Sequence, residues 1–170
     1  LAVEAWGGGP SLVDLEHKAA VKAGIPIHYE TAAVSLIEED GVVRGVIARH
    51  KGRRVRIGAK AVVLACGGFE SNAEMRTRYL GPTWDLAKVR GTRFNTGAGI
   101  NMALAIGAKP HGNWSGGHAV GWDMNAPEFG DLDVGDNFQK HSYPLGIMVN
   151  ANGLRFVDEG ADFRNYTYAK

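Results

Sequence analysis

Two glycine-rich turns carry residues that could do chemistry in this 170-residue chain. The first, Gly67-Gly68, ends an apolar run, and the second, Thr96-Gly97-Ala98-Gly99, opens a stretch with helical periodicity. Ligands of α/β sheets bind where strands end, and the N–H groups at a helix N-terminus attract phosphate or another electron-rich oxygen. Each turn alone is also compatible with an ordinary tight turn. The prediction of a site for a polyanionic cofactor therefore depends on both.

A second set of candidates, His118, Arg155 and Arg164, could hold a carboxylate. The planar guanidinium group matches a carboxylate bidentately, and an imidazole can add a further donor. For two of these residues, the alternative that they have no functional role stays open. His118 could be an ordinary polar residue of a glycine-rich loop, and Arg155 alternates with apolar neighbours and could point to solvent.

Composition and motifs exclude several other functions. The six histidines show no HExxH or HxxxH spacing, no GxSxG elbow is present, and the single cysteine, Cys66, cannot form an intrachain disulfide. With a net charge of +1, the chain carries no nucleic-acid footprint, and its basic cluster at 49–54 is typical of a solvated hairpin turn. No apolar run has membrane-spanning length and no signal peptide is visible, so we expect a cytoplasmic protein.

Helices and strands must position these residues, and the pattern predicts both. Ser11 is the predicted N-cap of a first helix that ends at Gly24. Asp40-Gly41 predicts a hairpin, and Asn152-Gly153 predicts a second one. Further helices are predicted at 71–79, where Ser71 and Glu74 form a capping box, and at 99–106. The predicted strands are 25–29, 34–38, 42–49, 53–57, 61–66, 145–149 and 154–157.

The run 61–66 has no polar residue, which predicts a strand buried on both faces, as in a parallel sheet. The predicted fold class is therefore α/β with α+β character, containing a small antiparallel meander over 33–65. A change of composition near Pro110 predicts a boundary between residues 1–110 and 111–170.

Together, these features resemble the flavoprotein family of fumarate reductase and succinate dehydrogenase, with the related 3-ketosteroid dehydrogenases. The matching stretches are 58–69 with Asn72, then 96–108, then 150–159. The resemblance implies the central part of a Rossmann-like FAD-binding domain over 1–110 and the start of a capping domain over 111–170. The runs 79–97 and 116–123 look most like the family members that oxidise tricarballylate to cis-aconitate.

The resemblance also implies a cofactor, FAD, and roles for single residues. In such enzymes a hydride moves to flavin N5 while a base removes the neighbouring proton. Arg164 would be the acid or base, offset by one residue from its place in the soluble fumarate reductases. His118 would act in catalysis and in substrate binding, and Arg155 would bind substrate. The implied FAD contacts are Ala33, Gly67, Gly68, Thr96, Gly97, Ala98 and Gly99.

The chain departs from the family pattern in two ways. Ala98 stands where the family has an acidic FAD contact, which removes about 0.5–1.5 kcal/mol if that contact is a typical hydrogen bond. The GxGxxG turn and the C-terminal contacts are not in this sequence, so we expect an internal piece of a longer flavoprotein. We expect that piece alone to be inactive and to bind FAD weakly.

The partners implied are a small carboxylate, the remaining segments of the flavoprotein and an electron-acceptor protein. Three other functions stay open. The full-length enzyme could be a fumarate reductase or a 3-ketosteroid dehydrogenase, or the chain could belong to a binding module that has lost FAD.

Overall fold

The computed structural model describes residues 6–117, 119–140, 142 and 145–159. Within them, a first helix precedes an antiparallel sheet and further helices follow it, which confirms the predicted mixed fold class. The helices are α1 (Gly8–Lys22), α2 (Ala73–Leu80) and α3 (Ala98–Ala105), with short 3₁₀ turns at Trp84–Leu86 and Gly135–Phe138, and the strands are β1 (Thr31–Glu39), β2 (Val42–His50) and β3 (Arg53–Gly58).

The three strands form one antiparallel meander in the order β1-β2-β3. Asp40-Gly41 joins the first pair and Lys51-Gly52 joins the second, and all four residues have positive φ. Two-residue loops of this kind follow the twist of the flanking strands, which is why they close hairpins. The meander and the solvated basic turn are confirmed.

Helix α1 begins earlier than predicted. Its N-cap is Gly7 rather than Ser11, which lies inside the helix. Pro10 lies in the first turn, where backbone N–H groups have no partner within the helix. The N–H that proline lacks therefore costs no helical hydrogen bond. Gly24 does end the helix: its N–H donates to Val21 O, and Ile25 N–H donates to Ala20 O, both at 3.0 Å. This pair of bonds is the Schellman arrangement.

Two of the predicted strands are absent. Residues 25–30 form coil and a turn, and residues 61–66 lie outside any ladder. The prediction that 61–66 is buried on both faces is also wrong, since Val63 is 88% exposed and Leu64 is 39% exposed. An inner parallel strand needs a neighbour on each side. No strand of the described part of the chain pairs with this segment.

Helix α2 also has a different cap from the predicted one. Asn72 is the N-cap, and its Oδ1 accepts a hydrogen bond from Met75 N–H at 3.1 Å. Ser71 does not form the capping box: its N–H, which the box would give to Glu74, donates to Asn95 O at 2.9 Å, and its hydroxyl donates to Thr92 O at 2.5 Å. Among the residues that the structure describes, the buried apolar side chains are few: Ile37, Ala48, Met75, Leu80, Val89, Met102 and Ala126.

The second predicted hairpin is reduced to its turn. Val149 and Arg155 form an isolated antiparallel bridge around Asn152-Gly153, and Asn150 N–H donates to Leu154 O at 2.9 Å. A two-stranded ribbon without a third strand is marginal, which explains why the pairing does not extend. Among the described helices, none is long and apolar enough to cross a membrane.

Candidate cofactor site

The structure brings the two glycine-rich turns together. Gly97 N–H donates to Gly68 O at 2.9 Å, although the two residues are far apart in the sequence. Gly67 and Gly97 both have positive φ, at 69° and 78°. These are conformations that glycine adopts without steric cost. The first turn therefore lies directly against the N-terminus of α3.

A second set of bonds joins the same turns through the N-terminus of α2. Asn72 Nδ2 donates to Thr96 O at 3.0 Å, and Ser71 N–H donates to Asn95 O at 2.9 Å. Sequence reasoning included Asn72 in a matching stretch but gave it no role. Its position just before a helical stretch was the available signal, because asparagine is a preferred N-cap residue.

Close packing beneath the site explains why two of its positions are glycine. A Cβ at Gly97 would lie 2.6 Å from Met75 Sδ and 3.0 Å from Phe69 Cβ. A Cβ at Gly99 would lie 3.0 Å from Cys66 Cβ and 3.1 Å from its Sγ. Gly99 therefore lets α3 approach the segment that leads into the first turn, and Gly97 lets the N-terminus of α3 approach α2 and Phe69.

The outer side of the site is open and fits an electron-rich ligand. Thr96 and Ala98 are exposed, and Gly97, the N-cap of α3, has no side chain to cap the first turn. The N–H groups and the dipole of a helix N-terminus favour negative charge or a polarised oxygen. Beside both turns lies a mostly apolar groove of about 270 Å³, whose lining includes Leu64, Cys66, Ile100, Ala103, His111 and Trp114.

Three aromatic rings pack next to the first turn. The ring of Phe69, directly after Gly68, lies 5.5 Å from the Tyr79 ring and 6.3 Å from the Trp114 ring, and Tyr79 lies 4.9 Å from Trp114. Aromatic pairs at these separations add to the stabilisation from burial. Sequence reasoning missed this cluster, since its members come from three separate segments.

A buried arginine stabilises the far side of α2. The Arg76 side chain donates to Trp84 O at 2.8 Å, Asp85 O at 3.0 Å and Ala87 O at 3.1 Å, and it also donates to Glu70 O. Only 8% of the residue is exposed. Arg76 therefore links α2 both to the 3₁₀ turn and to the chain just after the first glycine turn.

Ala33, the remaining predicted FAD contact, lies in the meander. It is half-buried in β1 and pairs with Ala48 of β2. Helix α3 packs against β1, so the meander belongs to the same packed unit as the glycine turns. Contact of Ala33 with a cofactor stays a prediction.

The predicted carboxylate site is described only in part, since His118 and Arg164 lie outside the described residues. The guanidinium of Arg155 donates to Oε2 of the buried Glu159, and Glu159 Oε1 accepts from Met148 N–H. These hydrogen bonds lower the pKa of Glu159 from 4.5 to about 2, and the bond from Met148 N–H has the largest effect. Burial alone would raise this pKa. Substrate binding by Arg155 stays a prediction.

The Glu159 contacts predict a pH dependence of stability. A depressed carboxyl pKa stabilises the folded state above the unfolded value, and that contribution is lost as the pH falls towards the folded value. We therefore expect the stability difference between wild type and Glu159→Gln to be constant above pH 4.5 and to shrink from there towards pH 2. Urea unfolding of the full-length protein across this range measures the difference.

Arg155→Met supplies the internal comparison for that experiment. It removes the Arg155 donor that lowers the pKa of Glu159 and leaves the Met148 N–H, which has the largest effect, in place. The loss of stability should then begin at the same upper pH and be complete at a higher pH than in the wild type. If the stability difference between the wild type and Glu159→Gln did not change below pH 4.5, the lowered pKa of Glu159 would be contradicted.

Comparison with known proteins agrees with this geometry. The model of the family described as FAD binding domain matches residues 1–169. A 3-oxosteroid 1-dehydrogenase of Mycobacterium tuberculosis is 30% identical over 92% of this chain and 28% of its own length. A probable fumarate reductase of Shewanella frigidimarina is 34% identical over 89% of this chain and 25% of its own length. The chain thus spans about a quarter of the length of these relatives.

Solved structures give the same result. The open conformation of a flavocytochrome c3 fumarate reductase superimposes with a TM-score of 0.70 at 28% identity, over 96% of this chain and 28% of that one. A 3-ketosteroid delta1-dehydrogenase from Sterolibacterium denitrificans gives 0.69 at 25% identity, over 88% of this chain and 27% of that one. The fold and the site define a flavin-binding domain. The chain belongs to the FAD binding domain family, and FAD is the cofactor of that family.

Proposed function

We propose that the full-length protein is an FAD-dependent oxidoreductase that acts on a carbon–carbon bond. The observation that carries this proposal is the hydrogen bond between Gly97 N–H and Gly68 O, which places an uncapped helix N-terminus beside the first glycine turn. Such an arrangement suits a bulky cofactor with electron-rich oxygens. Similarity to a dehydrogenase and a reductase supports the same class of reaction.

The proposed reaction removes two hydrogens from adjacent carbons of the substrate. Bound FAD would supply the acceptor for the hydride, so the flavin is reduced by two electrons as the substrate is oxidised. We propose that Arg164, after its guanidinium has released a proton to solvent, takes the proton from the neighbouring carbon, so that a C=C bond forms as both C–H bonds break. In the direction of reduction, the same residue would return the proton.

We further propose that the substrate is a di- or tricarboxylate, with tricarballylate oxidised to cis-aconitate. His118 and Arg155 would bind its carboxylates, since imidazolium and guanidinium groups donate to carboxylate oxygens. The ion pair with the buried Glu159 supports this role, because it restricts where the Arg155 guanidinium can lie. A 3-oxosteroid is the second candidate substrate, favoured by the similarity to 3-oxosteroid 1-dehydrogenase.

Anaerobic mixing of the full-length protein with each candidate substrate tests the proposal. We expect the visible flavin absorbance to bleach after mixing with tricarballylate. We expect a 3-oxosteroid to leave this absorbance unchanged. Fumarate added to the chemically reduced protein distinguishes a reductase, since it would restore the oxidised spectrum.

Each alternative has its own outcome. Bleaching by the steroid alone would replace the carboxylate proposal with the steroid one and keep the flavin chemistry. A purified full-length protein that neither contains flavin nor takes up added FAD would overturn the oxidoreductase proposal and would favour a binding module that has lost its cofactor.

A further inference from the structure

We infer that Asn72 is a positioning residue of the cofactor site, because its side chain fixes the second glycine turn relative to the first. This inference rests on the proposed function, since it concerns the same FAD site. Asn72 is half-buried at the junction of α2 with both turns. It does not need to touch the cofactor to act in this way.

The oxygen and the nitrogen of the Asn72 side-chain amide make different hydrogen bonds. Oδ1 accepts from Met75 N–H at 3.1 Å and so caps α2. Nδ2 donates to Thr96 O at 3.0 Å, one residue before the N-cap of α3. The carbonyl acceptor is needed for the cap and the amide donor is needed for the bridge. Because the two bonds use opposite ends of one group, substitution can separate them.

The backbone of Asn72 connects the bridge to the first turn. Asn72 N–H donates to Phe69 O at 2.9 Å, and Phe69 directly follows Gly68. Gly68 O in turn accepts from Gly97 N–H. The residues from Gly68 to Asn72 and the Thr96-Gly97 peptide are therefore joined by hydrogen bonds into a ring. After loss of the Nδ2 bond, the Gly97 N–H bond to Gly68 O and the Ser71 N–H bond to Asn95 O still join the two segments.

The expected consequence is a weaker cofactor site on an intact helix. Serine and aspartate cap a helix about as well as asparagine, and neither has an amide donor. Asn72→Ser and Asn72→Asp should therefore keep the cap of α2, and the urea midpoint of their apoproteins should fall less than that of Asn72→Ala. FAD should bind to them about five- to tenfold more weakly, because the bond that holds the second turn in the arrangement that binds FAD is lost. Asn72→Ala loses both bonds, so its urea midpoint should also fall.

The experiment uses the full-length protein and two readouts. FAD affinity is measured by titrating apoprotein with FAD and following flavin fluorescence, and stability is measured by urea unfolding of the same apoprotein. Asn152→Asp is the matched control for the added negative charge, since Asn152 lies exposed in the 150–153 turn. It should leave both FAD affinity and the urea midpoint unchanged.

The outcomes separate this inference from the proposed function. Wild-type FAD affinity in Asn72→Ser would overturn the positioning role while leaving the flavin enzyme in place. A loss of affinity that follows the urea midpoint across Asn72→Ser, Asn72→Asp and Asn72→Ala would also overturn it, since the residue would then be structural only. Failure of the wild type to bind FAD would overturn the proposed function and this inference together.

Discussion

Replacing Arg76 with methionine is expected to lower the free energy of unfolding of the FAD binding domain by about 3 kcal/mol, because three or more carbonyl groups lose a charged donor at once. The Arg76 guanidinium is buried, and its acceptors are backbone carbonyls of Glu70, Trp84, Asp85 and Ala87. Methionine fills similar space and donates to none of them. Urea unfolding of the full-length protein, followed by circular dichroism, measures the change.

Arg78→Met is the matched control for this prediction. Arg78 lies two residues further along α2, but its side chain is 61% exposed and pairs with the exposed Glu74. Exposed ion pairs of this kind contribute little to stability. The control should therefore leave the unfolding transition nearly unchanged. Equal shifts for the two variants would mean that the buried contacts of Arg76 do not stabilise the domain.

Arg76→Lys tests whether charge alone explains the effect. Lysine keeps the positive charge, but its compact ammonium group lacks the planar fork that reaches carbonyls on several sides. We expect an intermediate loss of stability. Full stability of the lysine variant would assign the effect to charge rather than to the geometry of the guanidinium.

The antiparallel meander could be predicted from the sequence because its signals are local. The Asp40-Gly41 turn and its flanking strands lie within one short stretch of chain, so pattern and turn chemistry suffice. The segment 61–66 shows the opposite case. Its apolar composition predicts a strand, but a strand forms only when a partner supplies the ladder, and composition does not report that partner.

The caps of α2 show how tertiary contacts decide between two good local candidates. Ser71 and Asn72 are both favourable N-cap residues, and Glu74 made Ser71 the expected choice through a capping box. In the structure, the Ser71 hydroxyl donates to Thr92 O and the Ser71 N–H donates to Asn95 O. Asn72 is therefore left to cap the helix. Both competing acceptors come from a distant loop that no local rule could have supplied.

The candidate site was predictable in its parts and not in its assembly. Glycine-rich turns beside regular elements indicated both contact regions, but nothing in the sequence indicated that Gly97 N–H would bond to Gly68 O. The family resemblance implied that these glycines contact FAD. In the structure, Gly97 and Gly99 make room for Met75, Phe69 and Cys66. Close packing of the protein itself is thus one reason for these glycines.

Gly97→Ala is expected to destabilise the FAD binding domain by about 2–5 kcal/mol and to abolish retention of FAD through desalting. Two costs add. The left-handed conformation of Gly97, with φ of 78°, costs an alanine roughly 1–2 kcal/mol. The new methyl group would lie 2.6 Å from Met75 Sδ and 3.0 Å from Phe69 Cβ, and relieving such overpacking typically costs about 1–3 kcal/mol.

Gly107→Ala separates these two costs, because Gly107 has a similar φ of 89° and a Cβ added there would meet no atom within 4 Å. It should lose only the conformational part of the stability and should retain FAD. The Gly97 methyl group can be accommodated only if Phe69 or the N-terminus of α3 moves, and either movement strains the Gly97–Gly68 bond that joins the two turns. Loss of FAD by Gly97→Ala but not by Gly107→Ala would follow from that coupling. If both variants lost the same stability and kept FAD, close packing at Gly97 would not be what holds the two turns together.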